Sequence, residues 1–268
     1  MATSITNSSI TLMVHIDFLT LILALLTAVA SGLVGSFALM RKMTLAADSF
    51  SHIALPGLGL ALLFSFNPVL GGAITLVVGA LIIWNIEKFS KLNTDAVIGV
   101  LFALSLALGA LLFSEAHELM ETLFGDITPI TPYEFTMGGA IALFIIWFII
   151  KKRRSLVLSL VSKDLARTAG VSPDKLHLWF LLVFALTVLL GMKLLGVLLM
   201  GSLIIIPAAA ARNVAKNLSS MLIVSSIVAV VSVGTGLVVA QIFAASLGPV
   251  IIIIASILFG LTLFARRT

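Results

Sequence analysis

The sequence predicts an all-α, polytopic integral membrane fold, eight to nine transmembrane helices in a single domain over residues 1–268. Two observations carry this. Apolar residues make up 61% of the 268 positions and charged residues only 10%, with a mean hydropathy of +1.26. Soluble domains are roughly half apolar and about a quarter charged. Too few polar side chains remain here to cover a water-facing surface, which excludes an ordinary soluble enzyme. The apolar residues also fall in runs close to the ~20 residues that a bilayer-spanning helix needs. Eight or nine such runs use the whole chain and leave no room for a soluble catalytic domain.

In order, the runs occupy residues 15–40, 44–66, 68–87, 96–114, 134–150, 177–191, 194–211, 217–246 and 249–265. Lys, Arg, Glu, Asn, Pro or Gly stands at each break, as at helix ends. The polar lead over residues 1–11 has neither a cationic n-region nor a small-residue cleavage site, so no cleaved signal peptide is expected. In the second run, Pro56 and Gly57 loosen the helix. Runs 177–191 and 194–211, which meet near Met192 and Lys193, are short, and read either as two spans or as one long or broken helix. Small-residue spacings at Ser31/Gly35, Gly32/Ser36 and Ala240/Ala244 fit close helix packing.

Charge sets the orientation. With nine spans, all sixteen Lys and Arg residues except Lys193 fall on one side. They stand at 41–42, 88, 91, 151–154, 163, 167, 175, 212, 216 and 266–267. The positive-inside rule makes that side cytoplasmic, with the N-terminus outside and the C-terminus inside. With eight spans, Arg266 and Arg267 would lie outside, so nine is preferred. The net charge of +5 is thus a topology signal, and no nucleic-acid partner is expected. The outward segment 114–134 has no Lys or Arg and holds Glu115, His117, Glu118, Glu121, Asp126 and Glu134. It reads either as a solvated amphipathic loop helix or as an entry surface that attracts cations or a basic partner patch.

An ionisable residue within a span is a functional hypothesis by default, because a charge at mid-bilayer costs several kcal/mol. Asp48 and His52 are four residues apart in the second run and so share one helical face. At 1.5 Å per residue from Arg41 and Lys42, His52 lies ~15 Å deep, near the middle of a ~30 Å hydrocarbon layer. Ser49 and Ser51 add hydroxyls nearby. Carboxylate and imidazole are ligands for zinc or manganese. Two ligands are too few for a closed site, but a two-fold dimer with this helix at its axis would supply two Asp and two His. The same pair also reads as a self-neutralising structural contact or part of a proton path.

Other candidates are plainer. His15 and Asp17 suit the outer surface, and Glu87, Lys88, Lys91 and Asp95 suit a satisfied surface network around a short inner loop. Nine Met residues without a close Met-x-x-Met pair are core fillers. Cysteine is absent, which removes disulfides, thiolate ligands and Cys nucleophiles together. No phosphate loop, H-E-x-x-H or G-x-S-x-G pattern occurs, so no enzyme is expected, and any driven transport draws on an ion gradient or on another subunit. In the inner segment at about 155–175, Ser162 caps a short helix that Gly170 stops, and Ser172 with Pro173 caps and opens the next. That segment reads as a soluble connector or as a contact for such a subunit.

Three blocks resemble the permease family of metal-type ABC importers, which bring in zinc, manganese or iron(II). Asp48-x-x-Ser51-His52-x-x-Leu55-Pro56-Gly57 is similar to the family's D-x-x-S-H-x-x-x-P-G signature. Ala166-Arg167-Thr168-Ala169-Gly170 resembles its A-x-x-x-G segment that docks on the ATPase. Gly196-Val197-Leu198-Leu199, followed by Ile206-Pro207-Ala208-Ala209, resembles its G-V-L-L…P-A-A helix. Leu123-Phe124-Gly125-Asp126 is a weaker match, and Pro249 departs from the looser turn expected between the last two spans. The resemblance implies the metal-ABC-importer permease fold, zinc-uptake-like, as a homodimer with two ATP-binding cassette subunits and an extracytoplasmic metal-binding protein. It implies Asp48 and His52 as translocation residues for Zn(II) or Mn(II), with Asp164, Ala166, Arg167 and Gly170 in the coupling helix. No permanently bound cofactor is implied. A metal-chelate permease and a stand-alone proton-coupled carrier are the alternative readings.

Overall fold

The computed structural model describes residues 18–90, 94–113, 130–243 and 245–265. His15, Asp17, Lys91, Glu115, His117, Glu118, Glu121, Asp126, Ala244, Arg266 and Arg267 lie outside them, as do the side chains of Asp95 and Lys193. The described residues form helices without a strand: α1 (Phe18–Met40), α2 (Thr44–Ile53), α3 (Leu55–Leu63), α4 (Pro68–Phe89), α5 (Thr94–Leu112), α6 (Pro132–Val161), α7 (Lys163–Thr168), α8 (Pro173–Leu195), α9 (Val197–Val214), α10 (Leu218–Phe243) and α11 (Leu247–Ala265). Among them, 7 segments are long and apolar enough to cross a bilayer, counting α2 with α3, while α5 and α9 are shorter apolar helices.

Several boundaries follow local chemistry. Proline opens α4, α6 and α8, where its missing N–H costs nothing and its φ suits a first turn. Asn67 accepts from the Val69 N–H at 2.9 Å, and Thr131 with Glu134 forms a capping box on α6. Glu134 is therefore part of a helix start, not of the acidic loop. Ser172 stands at the N-cap of α8 but makes no side-chain cap bond, contrary to expectation.

Two spans differ from the sequence reading, and a third matches one of its alternatives. The run at 44–66 is divided at Ala54, because Pro56 has no N–H for the carbonyl four residues back. Helix α6 does not stop at Ile150 but continues through the basic run 151–154 to Val161. Lys and Arg are good helix formers, so the basic run does not break the helix. The ambiguous region near Met192 and Lys193 contains two helices, α8 and α9, parted at Gly196. Its φ of +78° and ψ of 162° lie where essentially only glycine is at ease.

Close crossings place α1 and α9 at the centre. A Cβ on Gly32 would lie 2.8 Å from the Ser225 carbonyl oxygen, and the Ser225 hydroxyl donates to the Gly32 carbonyl at 2.8 Å. Gly35 likewise lies against the Ile204 backbone, so the small residues of α1 do serve close packing. Phe37, Phe50, Phe180 and Phe184 are fully buried around this centre. Ile74, Val100, Ile227 and Ile257 face outward, as lipid-facing residues do. The ends of α1, α4 and α6 and the start of α8 meet on one face, where Arg41, Glu87, Ser159 and His177 contact one another. On the opposite face the Ile130 N–H donates to Thr20 at 3.3 Å, bringing the starts of α1 and α6 together.

Candidate functional site

The spacing of Asp48 and His52 on α2 becomes a real juxtaposition. His52 Nε2 lies 4.0 Å from Asp48 Oδ1, too far for a hydrogen bond. Two ligand atoms on a tetrahedral zinc, each bound at ~2.0–2.1 Å, stand roughly 3.4 Å apart. The pair is thus about half an ångström wider than the edge of such a site. The His52 side chain is 9% exposed and the Asp48 side chain 56%. The imidazole ring stands edge-on to Phe102 of α5 at 4.9 Å, and its Nδ1 is buried without a hydrogen-bond partner among the described residues. Helix α2 thus holds the imidazole within the bundle while the carboxylate opens outward.

Helix α9 fixes the backbone beneath this pair. A Cβ on Gly201 would stand 2.8 Å from the Ala47 carbonyl oxygen and 2.9 Å from Asp48 Cα, so only glycine lets the two helices meet here. Ser49 and Ser51 are buried, and Ser51 donates to the Ala47 carbonyl at 3.1 Å, a bond within its own helix. Ser49 is turned about 100° from Asp48 around α2. Among the described residues no three His, Cys, Asp or Glu side chains gather to hold a metal, so Asp48 and His52 stand there without a third such ligand.

A second polar cluster was not expected. Arg41 donates from Nη1 to His177 Nδ1 at 2.8 Å and from Nη2 to Ser159 Oγ at 3.2 Å, and lies over the Phe180 ring at 4.6 Å. A guanidinium only donates, so Nδ1 accepts and the His177 proton sits on Nε2, which donates to Glu87 Oε2 at 2.6 Å. The Glu87 side chain is 15% exposed, so it is not the member of a surface network that its lysine neighbours suggest. Burial lowers the Arg41 pKa to about 10, and the Glu87 carboxylate opposes that shift, so the guanidinium stays charged at neutral pH. Sequence separations of 136 between Arg41 and His177 and of 90 between His177 and Glu87 leave no local pattern to find.

The short inner helix forms as expected. Ser162 Oγ accepts from the Leu165 N–H at 3.3 Å and caps α7. Gly170 has φ +76°, with its N–H on the Arg167 carbonyl and the Val171 N–H on that of Ala166, a Schellman stop. Ala166 is fully buried, anchoring α7, while Asp164, Leu165, Arg167 and Gly170 are exposed. Asp164 and Arg167 pair at 3.4 Å across the outer surface of the turn.

The ABC 3 transport family model matches residues 13–266. The high-affinity zinc uptake system membrane protein ZnuB of Haemophilus influenzae is 32% identical over 253 residues, covering 91% of this chain and 97% of that one. The manganese transport system membrane protein MntC of Halalkalibacterium halodurans is 29% identical over 245 residues, covering 90% of this chain and 84% of that one. Among solved structures, PsaBC from Streptococcus pneumoniae in complex with Fab superposes with a TM-score of 0.80 at 26% identity, covering 92% of this chain and 91% of that chain. With its apolar helices and the Asp48–His52 pair, the chain belongs to the ABC 3 transport family and is a membrane permease of the metal-importer type.

Proposed function

We propose that this chain is the membrane subunit of an ATP-driven importer for Zn(II), with Mn(II) as the other candidate cargo. The ion passes from an extracytoplasmic binding protein to the cytoplasm along a path between two copies of the chain. Each copy contributes Asp48 and His52, giving two nitrogens and two oxygens around one ion. The observation that carries this reading is the near-ligand spacing of Asp48 and His52, with the carboxylate facing out of the chain. The mixed imidazole–carboxylate set suits a borderline cation such as zinc, while delivery sets selectivity as much as ligand type does. Relatives named for zinc and for manganese bracket the same choice.

Two ATP-binding cassette subunits supply the energy, each docking on α7. Buried Ala166 ties that helix to the bundle while Leu165, Asp164 and Arg167 face the partner. The chain is read as nine spans with its basic side cytoplasmic in the bacterial inner membrane, on the distribution of Lys and Arg. The outer segment with Glu115, His117, Glu118 and Glu121 receives the loaded binding protein.

The test is zinc uptake into proteoliposomes holding the chain with its ATPase and binding protein. Asp48→Asn and His52→Ala each abolish uptake while the complex still assembles and hydrolyses ATP. Uptake at the parental rate in Asp48→Asn contradicts the proposal. Uptake driven by a pH gradient without ATP identifies a secondary carrier instead.

A further inference from the structure

A cavity of about 380 Å³ opens between α6 and α8, beside the exit of α7. A continuous run of four aromatic rings lines it, three from α6 and one from α8. Trp147 packs on Phe144 at 6.2 Å, Phe144 on Phe148 at 6.3 Å, and Phe148 on Trp179 at 6.4 Å between ring centroids. Trp147 and Trp179 remain 52% and 51% exposed, although both are large rings in apolar spans. Lys152 and Lys175 line the same cavity, and no carboxylate does. Lys151, outside the lining, lies 4.5 Å from the Trp147 ring centroid.

The order of these groups is the same on both walls although the helices run in opposite directions. Along α6, rings at 144–148 give way to Lys152 and Ser155, and back along α8, Trp179 gives way to Lys175 and Ser172. The cavity is thus apolar and aromatic at its membrane end, and cationic with hydroxyl donors at its basic end. Exposed tryptophans settle at the membrane–water interface, and basic pockets between helices at that level attract anionic head groups.

From this division we infer that the cavity is a binding site for an anionic phospholipid. The phosphodiester sits between Lys152 and Lys175, and an acyl chain runs over the four rings. Its floor includes Gly170 and Val171, which leave the stop of α7, so the bound lipid braces that segment against α6 and α8.

Quenching of tryptophan fluorescence by brominated lipids in reconstituted full-length protein tests this. Brominated phosphatidylglycerol is expected to quench with on the order of tenfold preference over brominated phosphatidylcholine, given two lysines near the surface. The preference disappears in the Lys152→Gln/Lys175→Gln variant and persists in Lys152→Arg/Lys175→Arg. Both positions are exposed, so folding is expected to survive the changes, and a parental melting temperature verifies it. Equal quenching by the two lipids in the parental protein overturns the site, as does a preference that survives loss of both lysines. Suppression of the preference by millimolar inorganic phosphate, at constant ionic strength set with chloride, overturns the lipid assignment in favour of a free-anion pocket.

Discussion

Gly201→Ala tests whether the α2–α9 crossing holds Asp48 in place. The added Cβ would stand 2.8 Å from the Ala47 carbonyl oxygen and 2.9 Å from both the Ala47 carbonyl carbon and Asp48 Cα. Ordinary contacts begin near 3.4 Å, so the shortfall is about 0.6 Å. All three atoms are backbone, so no rotamer change relieves the clash and α2 itself must move. Such overpacking costs roughly 1–3 kcal/mol, against about 1 kcal/mol gained from the helix propensity of alanine. The net loss of stability is therefore small, about 0–2 kcal/mol by that difference. The displacement falls on Asp48, whose carboxylate is the proposed metal ligand, and misplacements near 1 Å can cost about a hundredfold in positioned chemistry. Metal uptake is expected to fall at least tenfold while membrane abundance and melting temperature change little. Gly234→Ala is the control: nothing lies within 4 Å of its Cβ, and it should be neutral or stabilising, with uptake unchanged. Parental uptake by Gly201→Ala would refute the reasoning.

The Arg41–His177–Glu87 cluster yields a larger stability effect. Arg41→Ala removes the bonds to His177 and Ser159 and leaves Glu87 largely buried, so unfolding in detergent should come about 3–5 kcal/mol more easily. Arg41→Lys should recover only part of this, since a single ammonium lacks the guanidinium's fork. At the stop of α7, Gly170→Leu forces a side chain into φ +76° at a cost of about 1–2 kcal/mol. Co-purification of the ATPase, or its stimulation by loaded binding protein, should drop. Unchanged values for both would make α7 a passive connector.

The parts of the site that the sequence revealed are the local ones. Asp48 and His52 lie one helical turn apart, so any helix there brings them together. Ser162 and Gly170 carry their capping roles in their own chemistry. The Arg41–His177–Glu87 chain was illegible because its members come from the ends of α1, α8 and α4. Lysines beside Glu87 made a surface role look sufficient, although burial depends on which helix ends converge. Hydropathy also locates bilayer edges better than helix edges. It ended the fifth span at Ile150, whereas α6 runs on to Val161, and it missed the division at Ala54 within a single apolar run.

Zinc K-edge absorption spectroscopy on the purified, zinc-loaded permease tests the central claim most directly. Two nearby carboxylates repel one another when the site is empty, and a divalent cation relieves that repulsion. The proposal predicts one zinc per two chains, bound by two imidazole nitrogens and two carboxylate oxygens at ~2.0–2.2 Å. Asp48→Asn should lower zinc affinity sharply, and His52→Ala should remove the imidazole scattering. A zinc site without imidazole, or one that Asp48→Asn leaves intact in number and affinity, would contradict the claim that this pair holds the ion in transit.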